Sequence, residues 1–590
     1  MCGFIGCFKS GGRAHSSDLA PMAHRGPDGF GEWRSPAGDC WLGHVRLAIL
    51  ELGNAGAQPM LSASGRTAIV FNGEIYNHLE VRKSIRSIPW RGHSDTETLV
   101  EAWEQIGERC LESLRGMFAF AVYDLEAREL YLVRDRLGIK PVYFRQDHKG
   151  FSFASEVHVL NGGRRPALGE DALNMFLATG HLSGEGEVGE GIRILPPGCK
   201  IRISAGGRMS QEKWWPKVVL RHSQTRKREE LLEEVRRLVE SSVSEHLLAD
   251  VPVAVFLSGG TDSSVIATAA AKAANSPLRT FTVGFPQIDF DERPIAKLVA
   301  ERLGSKHHEI EVSPQDCIRW IGDAVAALDL PSADAVNSFI VSRVVRDQGL
   351  KVALSGLGGD EVFGGYPSFR DVPRLRLLGC LPEKAVRKGK FFLPEKIRAK
   401  LEGNGSFDAF SLALARRRWW SRAEIRDAGI GGSEMWPLRP VGSMDSFAMV
   451  SWAEILGYME PMLLRDCDQM SMAASMELRV PFLDHRLVEF GLAVPESQKR
   501  GIPKKLLVDA FARDLPIEVW DRPRAGFVLP MDDWMRGPLA DFCSHGLDAS
   551  KSRLNAAFVD RAFAKFQERR IHWTRVWQLV VLGHYLEKIR

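Results

Sequence analysis

The sequence predicts an α/β and α+β protein in two parts: packed sheets with helices against them, then a parallel sheet covered by helices on both faces, with a helical elaboration after it. Three observations predict it. At 590 residues the chain exceeds what one core holds, given roughly 150 residues per domain. Up to about residue 205 the pattern is short strands punctuated by glycine and proline. Beyond that point strand and helix alternate.

In the first part, strands are predicted over Gly43–Leu50, Thr67–Phe71, Phe118–Tyr123, Glu129–Asp135 and Phe151–Ser155, and the clearest helix over Thr96–Ile106. The polar stretch Ala205–Lys213, the pair Trp214-Trp215 and the basic run Arg221–Arg228 make the natural boundary. A predicted helix over Glu229–Leu248 then lines up Leu231, Val235, Leu238 and Val239 on one face. It leads into strand Val251–Leu257, helix Ser263–Ala274, strand Arg279–Phe285, helix Glu292–Leu303 and strands His307–Val312 and Lys351–Leu354. Nearly continuous apolar strands between helices indicate a parallel sheet buried on both faces. From Tyr366 the pattern is mostly helical.

Composition excludes several classes. With 78 basic and 74 acidic residues the net charge is only +4, which leaves no broad footprint for nucleic acid or an anionic membrane. Small molecules are the expected partners. The nine cysteines lie singly between Cys2 and Cys543 without a C-x-x-C pair, against a disulfide framework or a structural zinc site. Neither a secretory signal nor an apolar run of about 18 residues is visible, so a cytoplasmic location is expected.

The opening Met1-Cys2-Gly3 puts a thiol on the second residue. Removal of the methionine leaves a nucleophile carrying its own base, because an α-amine titrates near about pH 8 and can move a proton close to neutrality. Further on, the apolar strand Val251–Leu257 runs directly into Ser258-Gly259-Gly260-Thr261-Asp262-Ser263-Ser264 and a helix. Glycines bring backbone N–H groups close to an oxyanion, hydroxyls add donors, and the helix N-terminus adds partial positive charge. The lysine of a G-x-x-x-x-G-K-[ST] loop is absent. A second glycine-rich string, Ser355-Gly356-Leu357-Gly358-Gly359-Asp360-Glu361, follows strand Lys351–Leu354. Strand ends of such a sheet meet in one crevice, so Asp262 and Asp360 make a sensible pair for Mg2+. Cations for the phosphates are expected from Lys505 and Arg524.

The first loop resembles the pyrophosphatase loop of enzymes that split ATP into AMP and pyrophosphate. Together with Met1-Cys2-Gly3, the strings His24-Arg25-Gly26-Pro27-Asp28, Gly43-His44-Val45-Arg46-Leu47, Phe71-Asn72-Gly73-Glu74 and Ser94-Asp95-Thr96-Glu97 resemble the glutaminase domain of class II glutamine amidotransferases. The whole is similar to glutamine-hydrolysing asparagine synthetases, with the later string Met476-Glu477-Leu478-Arg479-Val480-Pro481-Phe482-Leu483-Asp484 in support. The resemblance implies an Ntn-hydrolase-type αββα sandwich over 1–210 and a PP-loop doubly wound domain over 211–590. It implies Cys2 as nucleophile, with Asn72 and the Gly73 amide donating to the oxyanion. Glutamine would be bound by Arg46, Leu47, Ile49, Asn72, Gly73, Glu74 and Asp95, with Arg46 on its α-carboxylate and Asp95 on its α-ammonium. ATP and pyrophosphate would be bound by Leu257, Ser258, Gly259, Gly260, Asp262, Ser263, Ser264, Val283, Ser355, Gly356, Lys505 and Arg524, with Mg2+ on Asp262 and Asp360. Aspartate is the expected acceptor, reached by ammonia through a tunnel between the domains, and a homodimer is open.

One departure bears on the acceptor. Asparagine synthetases commonly read S-G-E-G-x-D-E where this chain carries Leu357, and leucine neither takes a proton nor pairs with an ammonium. The alternative is therefore an amidotransferase of the same family acting on a larger carboxylate, such as a cell-wall, glycan or secondary-metabolite precursor. A nucleic-acid-modifying ATPase predicts a basic surface and paired cysteines. A catalytically dead scaffold predicts losses at Cys2, Asp262 or Asp360, and all three are present.

Overall fold

The computed structural model describes residues 2–9, 16–148, 150–215, 226–284, 291–376, 406–437, 444–521 and 529–589. Met1, Arg524 and much of the basic run before Arg228 lie outside them.

Two antiparallel sheets face each other in the first part. One orders β10 (Glu187–Gly189), β11 (Ile192–Ile194), β8 (Tyr143–Asp147), β9 (Gly150–Ala154), β1 (Gly3–Phe8), β3 (Cys40–Arg46) and β2 (Gly29–Arg34). The other orders β13 (Met209–Lys213), β12 (Cys199–Ile203), β7 (Glu129–Arg134), β6 (Gly116–Asp124), β5 (Thr67–Ile75) and β4 (Met60–Leu61). Alternation along β1 decides the layers: Phe4 and Phe8 point inward against Val70, Ala121 and Leu132, while Ile5 points outward. On the outer face of the second sheet, Ile69, Phe71 and Phe120 pack on Leu99, Val100 and Trp103 of the helix Asp95–Ile106. Outside the first sheet, Ile5, Trp41 and Tyr143 share a cluster with Leu173, Phe176 and Leu177 of the helix Glu170–Thr179. The result is the αββα sandwich.

The third sheet is parallel throughout, in the order β16 (Lys306–Glu311), β15 (Arg279–Gly284), β14 (Val253–Phe256), β17 (Val352–Leu354) and β18 (Glu477–Arg479). The chain steps outward from β14 to β16 and then returns to the other side of β14 as β17. That reversal is the switch point where ligands bind in doubly wound sheets. The two glycine-rich strings leave the sheet there.

The predicted elements are present with shifted ends. The strand expected over Gly43–Leu50 is Cys40–Arg46, because residues 47–50 bond elsewhere. Ala48 N–H donates to the Asp28 carboxylate at 2.8 Å, and the Ile49 carbonyl accepts from Asp250 N–H at 2.9 Å. The helix expected over Glu229–Leu248 is Arg228–His246. Strand β18 has no counterpart among the expectations: its three residues carry no run long enough to read within a helical stretch. Among the described residues, no helix is long and apolar enough to cross a membrane.

Candidate active sites

Cys2 immediately precedes β1, an interior strand of its sheet, and faces β5. Its N–H donates to Asn72 Oδ1 at 3.1 Å, and its Sγ stands 4.0 Å from the Leu47 carbonyl. Burial pushes the thiol above its ordinary pKa, while the Leu47 hydrogen bond and the Arg46 charge pull it down. With Oδ1 fixed by Cys2, the Asn72 amide must turn Nδ2 the other way, and that buried donor has no partner. A buried unpaired donor costs roughly 1–3 kcal/mol unless a ligand engages it, so an amide kept beside a thiol in this state suits a developing oxyanion. Gly73 follows with φ +152°, and a Cβ there would overlap the Met117 carbonyl across the sheet. Only glycine fits this register against β6.

The Arg46 guanidinium already donates to the carbonyls of Glu51 and Gly53, the latter at 2.8 Å, and so holds the 47–56 turn while leaving other N–H groups for a carboxylate. Asp95 is the first residue of its helix, with Ser94 as the cap accepting from Glu97 N–H. Its carboxylate accepts from Ile75 N–H at 2.9 Å and Thr96 N–H at 2.8 Å. Burial nevertheless pushes its pKa up to about 6. Glu74 reaches the second part of the chain, 3.3 Å from Arg479 Nη2, and feels the charges of Glu477 and Asp95 as well. Leu47 and Ile49 are buried against Val352 and Met472, so their backbone rather than their side chains is available to a ligand.

Arg479 is fully buried, with Nε 2.5 Å from Glu477 and Nη1 donating to the carbonyls of His246 at 2.7 Å and Leu248 at 2.6 Å. Its own carbonyl accepts from Ser355 N–H at 2.8 Å. One residue thus touches Glu74, two positions beyond Asn72, and the first residue of the second glycine-rich loop. Against the cost of burial, nearby positive charges, Arg479 and Lys140 among them, hold Glu477 at about 2, whereas burial pushes Glu74 well up. A second buried arginine, Arg25, donates to the Cys2 carbonyl at 3.1 Å and pairs with Glu156 at 3.0 Å and Asp468 at 2.8 Å.

At the switch point, β14 passes through Leu257, whose N–H donates to the Phe281 carbonyl at 2.8 Å, into the loop 258–260 and the helix Thr261–Ala273. Gly259 turns with φ +79°, and a Cβ would stand 2.9 Å from Ala296 N. The Ser258 and Ser263 hydroxyls lie 3.0 Å apart, and Ser263 also donates to the Gly260 carbonyl at 3.1 Å. The Ser264 hydroxyl is buried without a partner. Val283 is half-buried on neighbouring β15. Gly356 and Gly359 lie directly against Asp262: side chains there would meet its Cβ and carboxylate.

The structure brings a different lysine to the two loops. Lys505, expected on the phosphates, pairs with Asp509 one helical turn on, at 2.9 Å. Its neighbour Lys504 has φ +59°, which turns its side chain back to the loops. There its ammonium bridges Asp262 and, at 2.7 Å, Asp360. The first of two adjacent lysines carries no sequence signal of its own, so charge alone could not choose between them. Glu477, Arg479 and Arg25 lie in strings that carry the family resemblance, and only the fold shows what they touch.

Comparisons with known proteins identify the family. The family model described as "Asparagine synthase" matches residues 234–587, and that described as "Glutamine amidotransferase domain" matches residues 1–215. A putative asparagine synthetase [glutamine-hydrolyzing] of Mycobacterium tuberculosis is 31% identical, over 95% of this chain and 91% of its own. Asparagine synthetase [glutamine-hydrolyzing] 1 of Bacillus subtilis is 29% identical over 94% and 90%, and asparagine synthetase B of Escherichia coli 33% over 63% and 62%. The chain therefore belongs to the asparagine synthase family, as a carbon–nitrogen ligase that carries its own glutamine amidotransferase domain.

Proposed function

We propose that this enzyme amidates aspartate with glutamine nitrogen, through an acyl-adenylate, giving asparagine, glutamate, AMP and pyrophosphate. The observation that carries the reading is the pairing of two sites through buried residues: the thiol with its unpaired Asn72 donor, and the two-loop cradle at the switch point.

Removal of Met1 would leave the Cys2 nitrogen, already beside Asn72, as an α-amine next to Sγ. The thiolate attacks the side-chain amide of glutamine; Asn72 Nδ2 and Gly73 N–H receive the oxyanion; the amine relays the proton to departing ammonia, and water then cleaves the glutamyl thioester, releasing glutamate and restoring the thiol. Arg46 and Asp95 fix the α-carboxylate and α-ammonium. In the second site, Ser258, Gly259, Gly260, Ser263 and Ser264 would hold pyrophosphate at the N-terminus of the helix Thr261–Ala273, with Leu257, Val283, Ser355 and Gly356 around the nucleotide.

Two carboxylates close enough for one ammonium to bridge are close enough to share one cation, and few carboxylates plus phosphate oxygens suit Mg2+. Asp262 and Asp360 would hold it, and its charge would screen the phosphates of ATP. Lys504 takes the phosphate-facing role expected of Lys505.

Leu357, half-buried in apolar surroundings, favours a second reading, in which the acceptor is a larger carboxylate. Purified protein incubated with glutamine, ATP, Mg2+ and a panel of carboxylic acids tests both. Asparagine and pyrophosphate in equal amounts from aspartate support the first; turnover of another acid alone moves the assignment to the second; no pyrophosphate with any acid refutes both.

A further inference from the structure

Helices Ala540–Ser550 and Trp573–Glu587 pack so closely that a side chain on Gly583 would run into the Gly546 carbonyl. This contact fixes the spacing of His545, on the first helix, from His584 and Glu587 on the second. One ligand-type atom from each lies within 4.8 Å of the others. His545 Nε2 stands 2.8 Å from Glu587 Oε1, and His584 Nδ1 stands 3.5 Å from Glu587 Oε2.

His584 is oriented in advance. Its ring stacks on Phe542 with centroids 4.0 Å apart, and its Nε2 lies 3.1 Å from the Phe542 carbonyl, an atom that only accepts. The ring hydrogen is therefore on Nε2. In the neutral ring Nδ1 then turns a lone pair toward a carboxylate, a contact that only a proton or a cation between them makes favourable. Metal-binding imidazoles are prepared in this way, with the far nitrogen tied to a carbonyl and the near one bare. The 3.5 Å separation matches the edge of a tetrahedron with bonds of about 2.1 Å. Two imidazoles and one carboxylate suit Zn2+, Ni2+ or Co2+, whereas Mg2+ and Ca2+ prefer oxygen alone.

We propose that His545, His584 and Glu587 form a site for a divalent transition-metal ion of the Zn2+ class, with water as the fourth ligand, clamping these two helices together. None of the three belongs to the glutamine or nucleotide site. The competing account is a simple histidine–glutamate ion pair.

The full-length protein, stripped with chelator and kept in excess Mg2+, is titrated with Co2+ and then Zn2+ on a Cys2→Ala background, which removes the amino-terminal thiol; Cys7 is the other half-buried cysteine among the described residues. One equivalent of Co2+ with visible d–d bands and no strong thiolate charge-transfer band, displaced by Zn2+, is the expected result, together with a higher unfolding temperature. His545→Ala and Glu587→Gln, both at exposed positions, should each weaken binding at least tenfold while keeping the metal-free unfolding temperature and the ammonium-dependent synthesis measured in the chain with Cys2 intact. Absence of stoichiometric binding, or binding that survives both substitutions, overturns the site and leaves the ion pair.

Discussion

At the scale of single residues, Asn72 is the most exposed to test, because its two amide atoms have separate tasks. Asn72→Ala removes the Cys2 contact and the oxyanion donor together, and should lower glutaminase kcat by roughly 10²–10³, read by glutamate release. Cys2→Ala should abolish glutamine-dependent synthesis and spare synthesis from added ammonium, measured in parallel assays. Asp95 supplies a pH dependence. Its carboxyl titrates at about 6, so below that pH it gains a proton and loses its attraction for the glutamine ammonium. The KM for glutamine should rise as pH falls through 6, approaching about tenfold per unit, and Asp95→Asn should give a weak, flat profile. Cys2, Asn72 and Asp262 stand out as candidates in the sequence because each sits in a string whose neighbours repeat the signal. The choice of Lys504 over Lys505 is not legible, because it depends on one positive φ.

At the scale of elements, the two glycine-rich loops act as one object. The loop after β17 lies on the first turn of the helix Thr261–Ala273 through Gly356 and Gly359, so each shapes the other. Lys504→Ala should therefore cut adenylation, measured as pyrophosphate release, by at least about tenfold, while Lys505→Ala, which loses only a partly exposed pair with Asp509, should leave it within about twofold. Equal losses in the two variants would refute the assignment of Lys504 to the loops. Most strands and helices were legible from periodicity, since both parallel-sheet strands and amphipathic helices announce themselves in their apolar spacing. Strand β18 was not: three residues between helices become a strand only because β17 offers an edge to pair with. The early end of β3 is hidden for a similar reason. Its last four expected residues are drawn off by Asp28 and Asp250, partners distant in sequence.

At the scale of the whole molecule, the two parts are joined by buried charge. Arg25 reaches Cys2, Glu156 and Asp468; Arg479 reaches Glu74 and the Ser355 loop. Breaking such a network by removing one partner strands the others, at a cost of about 3–5 kcal/mol. Arg25→Ala should accordingly lower the unfolding temperature in calorimetry and lower glutaminase activity with it. Arg479→Lys keeps the charge and loses the fork, so both half-reactions should survive while the ratio of glutamate formed to amide formed rises above one. Sequence showed the motifs that carry Arg25 and Arg479, but contact between residues more than 400 positions apart needs the folded sheets.

The Arg25 junction has a practical corollary for anyone dissecting the enzyme. Severed after β13, the amino-terminal piece would keep all its expected glutamine ligands and still be a poor deamidase. The carboxylate that steadies its arginine, Asp468, would have been left on the other fragment, and mixing the two fragments back together should restore the lost hydrolysis.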